Sequence, residues 1–227
     1  ASAATASKVV YSNGGLSGTG VHIEQSSQNS GQLNLLVGNY ASVISNLAPI
    51  AHYKLDETLG TTLSDSTAGI NHATLTGGSP LVGQPGGLTG DSGKSLQLVP
   101  SSTNQVLAPI AGQLSADDTI SMSIWVNLSD NSTAGRSFHI FSSSATFSLF
   151  YDTNLSSLYS LPGGVYYGSL DENRWYHIAY VKTGSTSAVF YVDGEPVIPT
   201  SGTPTAMPTL TLFKFLVLAY SKGFRQS

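Results

Sequence analysis

Residues 175–197, "WYHIAYVKTGSTSAVFYVDGEPV", decide the class of fold. Two runs rich in β-branched and aromatic residues flank a polar Lys-Thr-Gly-Ser-Thr-Ser linker, and the second run ends in Asp193-Gly194. Asp-Gly after an extended run is a strong signal for a tight turn, because both positions tolerate positive φ. Successive strand residues face opposite sides. Phe190 and Val192 are thereby separated from Tyr191, while Trp175 and His177 share a face. The stretch predicts two antiparallel strands and a turn that sets their register. No acid or metal-ligand spacing accompanies its Trp, His and Asp.

The same period of two recurs along the chain. In "TISMSIWVNL", residues 119–128, Ile120, Met122, Ile124, Val126 and Leu128 alternate with Thr119, Ser121, Ser123, Trp125 and Asn127. "IAHYKLDE" sets Tyr53 and Leu55 against His52 and Lys54, and "KSLQLV" aligns Leu96 with Leu98. Further strands are predicted at "SFHIF", "TFSLFY", "GVYYGSL" and "TLFKFLVLA". No dozen residues keep apolar positions at helical spacing without Gly, Pro or β-branched interruption. The expectation is an all-β chain of two antiparallel sheets packed face to face.

Residues 1–48 differ in composition. Lys8 and Glu24 are the full charges of that zone, and its short pieces "KVVY", "GVHIE" and "QLNLLVG" are too brief to close a core alone. They are expected to form an extended β-rich arm that pairs with other subunits, in an oligomer or larger assembly. "NLAP", residues 46–49, marks the boundary, since Pro49 restricts Ala48. Residues 49–227 then form the main domain.

Composition narrows the function. Charged residues make up 10% of the 227, against a usual share of about 25%, and Ser and Thr supply about a quarter. Nine Lys and Arg, scattered singly in a chain of net charge -4, form no stripe able to neutralise a row of phosphates. Nucleic acid and anionic membranes are therefore not expected partners. Zero Cys rules out disulfides, a cysteine zinc site and a thiol nucleophile. The apolar run "LFKFLVLAY", residues 212–220, is too short to span a bilayer and contains Lys214.

Four segments, in order, resemble the laminin-G-like or concanavalin A-like jelly-roll domains: "AHYKLDETLGTTLSDSTAGINHATLTGG", "GKSLQLV", "DTISMSIWVNL" and "NRWYHIAYVKTGSTSAVFYVDGEPV". The likeness covers residues 50–198. It implies a two-sheet jelly-roll sandwich. The end, "LTLFKFLVLAYSKGFRQS", departs from the family's Gly-rich turn with an acidic pair and an Arg, so either this segment or the N-terminal zone closes the sandwich.

Retaining glycosidases on this scaffold need two carboxylates roughly 5 Å apart, supplied by alternate acids on a strand. Asp56-Glu57, Asp117-Asp118 and Asp171-Glu172 are adjacent pairs, which point to opposite sides when extended. No Gly-x-Ser-x-Gly elbow and no His-x-x-x-His spacing occurs. The chain is expected not to be an enzyme, a glycoside hydrolase being the weaker alternative. Calcium is a candidate ligand at "DSTAGINH", where Asp65 and Asn71 offer oxygens and Gly69 a bend; the competing reading gives both residues to turn hydrogen bonds.

Carbohydrate recognition needs an aromatic face for the apolar side of a sugar and amides or carboxylates for its hydroxyls. Trp125 and Asn127 on the polar face of their strand, Asp152 in "FYDTN", and Tyr166 and Tyr167 in "YYG" are the candidate ligand-binding residues. The expected function is a non-catalytic module that binds glycans or another surface polymer. With no cysteine, no apolar leader in residues 1–15 and a low-charge arm, the expected setting is a phage virion surface. A secreted bacterial carbohydrate-binding or adhesion module is the alternative.

Overall fold

The computed structural model describes residues 19–24, 34–39, 44–77, 81–87, 93–98, 104–110, 120–128, 136–143, 147–161, 165–182, 188–199 and 213–220. Its strands, numbered in chain order, build two layers. The larger sheet has eight strands in the order β12 (Val165–Gly168), β11 (Ser157–Leu161), β10 (Phe147–Asp152), β9 (Arg136–Ser143), β16 (Phe213–Tyr220), β7 (Gln105–Ala108), β4 (Ala73–Thr76) and β3 (Thr62–Leu63). The smaller has four: β15 (Glu195–Pro196), β14 (Ala188–Val192), β13 (Trp175–Lys182) and β8 (Ile120–Asn127). Every described strand pair is antiparallel.

The core lies between these layers. Leu63, Ala73, Leu75 and Val106 from the larger sheet join Ile140, Leu149, Tyr151 and Leu158 in one cluster with Val126, Ile178, Tyr180 and Phe190 from the smaller sheet. Each fully buried side chain of this size contributes roughly 1.5–3 kcal/mol relative to exposure. Alternation along β8 explains which face turns inward. Ile120 and Val126 are buried while Ser121, Ser123 and Asn127 are exposed.

The hairpin of residues 175–197 forms as its sequence predicts. Tyr180 pairs with Phe190 and Ile178 with Val192, and Val192 pairs with Glu195 across the two-residue turn. Asp193 and Gly194 have φ of 53° and 85°. Positive φ at both turn positions matches the right-handed twist of the flanking strands. The Asp193 carboxylate accepts the His177 N–H at 2.9 Å, which ties the turn to β13.

One expectation changes, and the strand that closes the larger sheet is identified. Residues 50–57 form no strand: Leu55 has φ 59°, which breaks extension, and an isolated bridge from Tyr53 to Asp65 is the β pairing described there. The C-terminal segment closes the larger sheet, and from its middle rather than its edge. β16 runs between β9 and β7 and is hydrogen-bonded along both of its edges. Among the described residues of the N-terminal zone, β1 (Thr19–Glu24) and β2 (Asn34–Asn39) pair with each other in a separate sheet. Likewise, β5 (Leu81–Pro85) and β6 (Lys94–Gln97) form their own pair. "KVVY" and most of residues 1–43 lie outside the described residues.

Candidate functional site

The outer face of the four-stranded sheet carries Trp125. Register sets Trp125 opposite His177, Asn127 opposite Trp175, and Ser123 opposite Ala179, which in turn faces Tyr191 on β14. The Trp125 and His177 rings lie 5.1 Å apart at 43°. Both are half-buried, and hydroxyls and an amide flank them at the exposed Ser121, Ser123 and Asn127. Trp125 Nε1 is buried and makes no hydrogen bond; among the described residues only Glu57 Oε2 shares that condition. An orphaned buried N–H costs about 1–3 kcal/mol. The N–H edge of the indole is thus covered, while the residue as a whole is half-buried. Burial lowers the His177 pKa below 6.5, with Asp193 opposing weakly, so the imidazole is neutral at pH 7.

Trp175, on the same face, is committed to packing. The position a Cβ would take on Gly87 lies 2.5 Å from the Trp175 ring, so only glycine lets the backbone after β5 rest on that indole. Both tryptophans are half-buried, and Trp175 is the one against whose ring the Gly87 backbone rests.

The other candidate ligand residues lie elsewhere. Tyr167, expected to be exposed beside a turn, is only 7% exposed. A register shift between β11 and β12 pairs Leu158 with Gly168 and Tyr159 with Tyr166, leaving Tyr167 as the extra residue that turns into the core. There its hydroxyl meets Ser160 Oγ at 3.2 Å and its ring meets Phe190 edge-on. Burial raises its pKa to about 12 despite the Ser160 bond. Phe190 is on the inner face of the small sheet, so Tyr167 and Trp125 stand on opposite sides of it.

Asp152 ends β10, and its Oδ1 accepts the N–H groups of Asn154 and Leu155 at 2.8 and 3.2 Å. It shapes a turn. The Tyr166 side chain lies outside the described residues; its backbone pairs with Tyr159. On the neighbouring strands lies an aromatic row that the sequence does not announce. His139 stacks on Phe150 at 4.9 Å and 26°, and Phe150 meets Tyr159 edge-on at 5.1 Å. The three residues are cross-strand partners on β9, β10 and β11, on the face of the large sheet away from Leu149 and Tyr151. Period two within each strand is visible in the sequence, but pairing across strands is not.

Asp65 and Asn71 do come together, as partners of each other. Asp65 Oδ1 accepts from the backbone N–H of His52 at 2.9 Å and Thr67 at 3.0 Å. Its Oδ2 accepts from the Thr67 hydroxyl at 2.8 Å and the Asn71 N–H at 2.9 Å. Asn71 Nδ2 is turned to the Ile50 carbonyl at 3.1 Å. Burial pushes the carboxyl pKa up, yet these four donors outweigh it and hold the value at about 2. A calcium ion approaching this carboxylate meets N–H and O–H hydrogens where it needs lone pairs. The geometry matches the turn reading.

Among the described residues no helix is long and apolar enough to cross a membrane. No curated protein matches the sequence. By fold, the chain is similar to Trypanosoma rangeli sialidase bound to 2,3-difluorosialic acid, at TM-score 0.53 and 18% identity, over 74% of this chain and 27% of that one. The same sialidase with sialic acid gives TM-score 0.52 at the same identity and coverage. The chain thus spans about a quarter of the sialidase. Domain 4 of AbnA, a GH43 extracellular arabinanase from Geobacillus stearothermophilus solved with arabinotriose, gives TM-score 0.50 and 17% identity over 74% of this chain and 82% of that one. The family model for concanavalin A-like lectin/glucanases matches residues 100–226, which takes in β8, the 175–197 hairpin and the divergent C-terminal strand but not the segments quoted from residues 50–99. With its two antiparallel layers around one core, the chain belongs to the concanavalin A-like lectin/glucanases superfamily.

Proposed function

We propose that this chain is a non-catalytic carbohydrate-binding module whose contact surface is the outer face of the four-stranded sheet around Trp125. The observation that carries the proposal is the half-buried Trp125 ring 5.1 Å from the His177 ring, bordered by exposed Ser121, Ser123 and Asn127. Such a platform offers an apolar surface to sugar C–H groups and both donors and acceptors to sugar hydroxyls. The family and the sugar-bound structures of the same fold support this reading. The adjacent acid pairs and the turn-committed Asp65 and Asp152 favour binding over hydrolysis.

The test is an array of neutral and acidic glycans probed with the full chain and with Trp125→Ala. Saturable binding to a subset, weakened about 30-fold in the variant while its melting transition is retained, supports the proposal. Silence across the array, or release of reducing sugar from a bound glycan, counts against it. Residues 1–48 are proposed to attach the module to other subunits, since β1 and β2 pair with each other outside both sheets of the sandwich. Light scattering on the full chain is expected to show an oligomer, and a monomer contradicts that attachment.

A further inference from the structure

A second polar site lies where the open edges of the two sheets meet. A cleft of about 440 Å³ opens between the β11–β12 end of the large sheet and the β13–β14 end of the small one. Leu158, Tyr167, Val192 and Val197 form its apolar wall, and Asp171, Arg174, Tyr176 and Asp193 its polar side. The volume falls in the usual range for small-ligand pockets, roughly 300–1,000 Å³.

The polar groups are held in place by buried Tyr176 and by the turn carboxylate of Asp193. The hydroxyl of Tyr176, a residue 5% exposed, accepts the Asp171 N–H at 2.8 Å and donates to Asp171 Oδ2 at 3.1 Å. The Arg174 guanidinium lies 4.5 Å over the Tyr176 ring and donates to Asp193 Oδ2 at 2.8 Å. Asp193 is itself fixed by the His177 N–H. What stays open is the approach between Arg174 Nη1 and Asp171 Oδ2, 3.9 Å apart and beyond hydrogen-bond reach. Both side chains face solvent, at 56% and 78% exposure.

A guanidinium only donates and a carboxylate only accepts. The group that satisfies both at once is a hydroxyl, which accepts from Arg174 and donates to Asp171 when its oxygen sits beside the 3.9 Å line. Asp171 and Asp193 line the cleft with Arg174, and Glu172 follows Asp171 in the chain, a negative balance that disfavours an anion. Arg174 in turn disfavours an ammonium. We infer that this cleft is a second ligand site, for the hydroxyl-bearing end of a neutral saccharide, with the sugar's C–H face on Val192 and Val197. It stands on its own chemistry and does not depend on the Trp125 face.

The experiment is a titration of the full chain, followed by amide proton–nitrogen spectra, with methyl α-L-arabinofuranoside, methyl β-D-galactopyranoside and, as a charged comparator, N-acetylneuraminic acid. Saturable shifts at the amides of residues 169–174 and 193–194 with a neutral glycoside are expected. They should weaken roughly tenfold in Asp171→Asn and in Arg174→Lys, which keeps the charge but loses the planar fork, and persist in Trp125→Ala. Shifts confined to the Trp125 face, no response to either neutral glycoside, or a response to N-acetylneuraminic acid that Asp171→Asn strengthens would overturn the assignment. Because Asp171 is largely exposed, the rest of the Asp171→Asn spectrum should remain in place.

Discussion

Asp65 and Asp171 are both loop carboxylates beside the sandwich, and they do opposite things. Asp65 is 6% exposed and accepts four internal hydrogen bonds, so its capacity is spent on closing the turn between residues 50 and 71. Asp171 is held by Tyr176 but keeps most of its surface in solvent, facing an arginine it does not reach. The aromatic residues repeat the contrast. Tyr167 commits its ring and hydroxyl to the core, whereas Trp125 is half-buried on the outer face of the small sheet. Residue type nominates a site, and the lone pairs, hydrogens and ring faces already in use decide between structure and binding.

The contrast can be broken most forcefully at Tyr167. Tyr167→Ala should cost about 3–5 kcal/mol in urea unfolding, through a cavity beside Phe190 and the lost Ser160 bond, and should leave glycan affinity of the folded fraction unchanged. Asp65→Ala should cost about 3 kcal/mol, because three backbone N–H groups lose a charged acceptor. Millimolar calcium should not raise the wild-type melting temperature; a rise that vanishes with Asp65→Ala would return the loop to the metal reading.

Acid titration sharpens the same point. The Asp65 carboxyl has a folded pKa of about 2, below its ordinary 3.8, so its contribution is complete above pH 3.8 and is lost as pH falls toward 2. The loss is of the order of 2 kcal/mol, because a tenfold difference in proton affinity between the folded and unfolded chains is worth about 1.4 kcal/mol. Asp65→Asn should flatten the unfolding free energy over that window. A smaller effect belongs to His177 and His52, whose pKa values burial lowers below 6.5. Both favour the neutral ring in the folded state, so their contribution is full above pH 6.5 and declines below it. His177→Gln should reduce that dependence in unfolding curves measured between neutral and mildly acidic pH.

Much of the fold is legible in the sequence because β8, β13 and β14 follow a strict period of two and Asp193-Gly194 marks a turn with one favoured geometry. Residues 50–57 show the limit of that signal. Tyr53 and Leu55 alternate correctly, but the backbone there bonds to Asp65 and a strand does not form. The central place of β16 is not legible, since strand order depends on which apolar surfaces meet across the whole chain. Of the site, Trp125 and its polar neighbours follow from alternation within one strand. Tyr167 defeats the same reasoning because the extra residue at the β11–β12 register shift reverses its direction. The Asp171–Arg174 mouth joins residues from a loop and two strands, and "DENRW" carries no spacing that announces it. The virion setting rests on composition and the character of residues 1–48, and no feature of the fold bears on it.

The most direct test of the binding account is calorimetric titration of one glycan that binds wild type into wild type, Trp125→Ala and Asp65→Asn, each shown to be folded. Loss of a central aromatic contact typically costs 2 kcal/mol or more, about 30-fold in affinity. The account predicts that loss for Trp125→Ala and wild-type affinity for Asp65→Asn. Undiminished affinity in Trp125→Ala would contradict it.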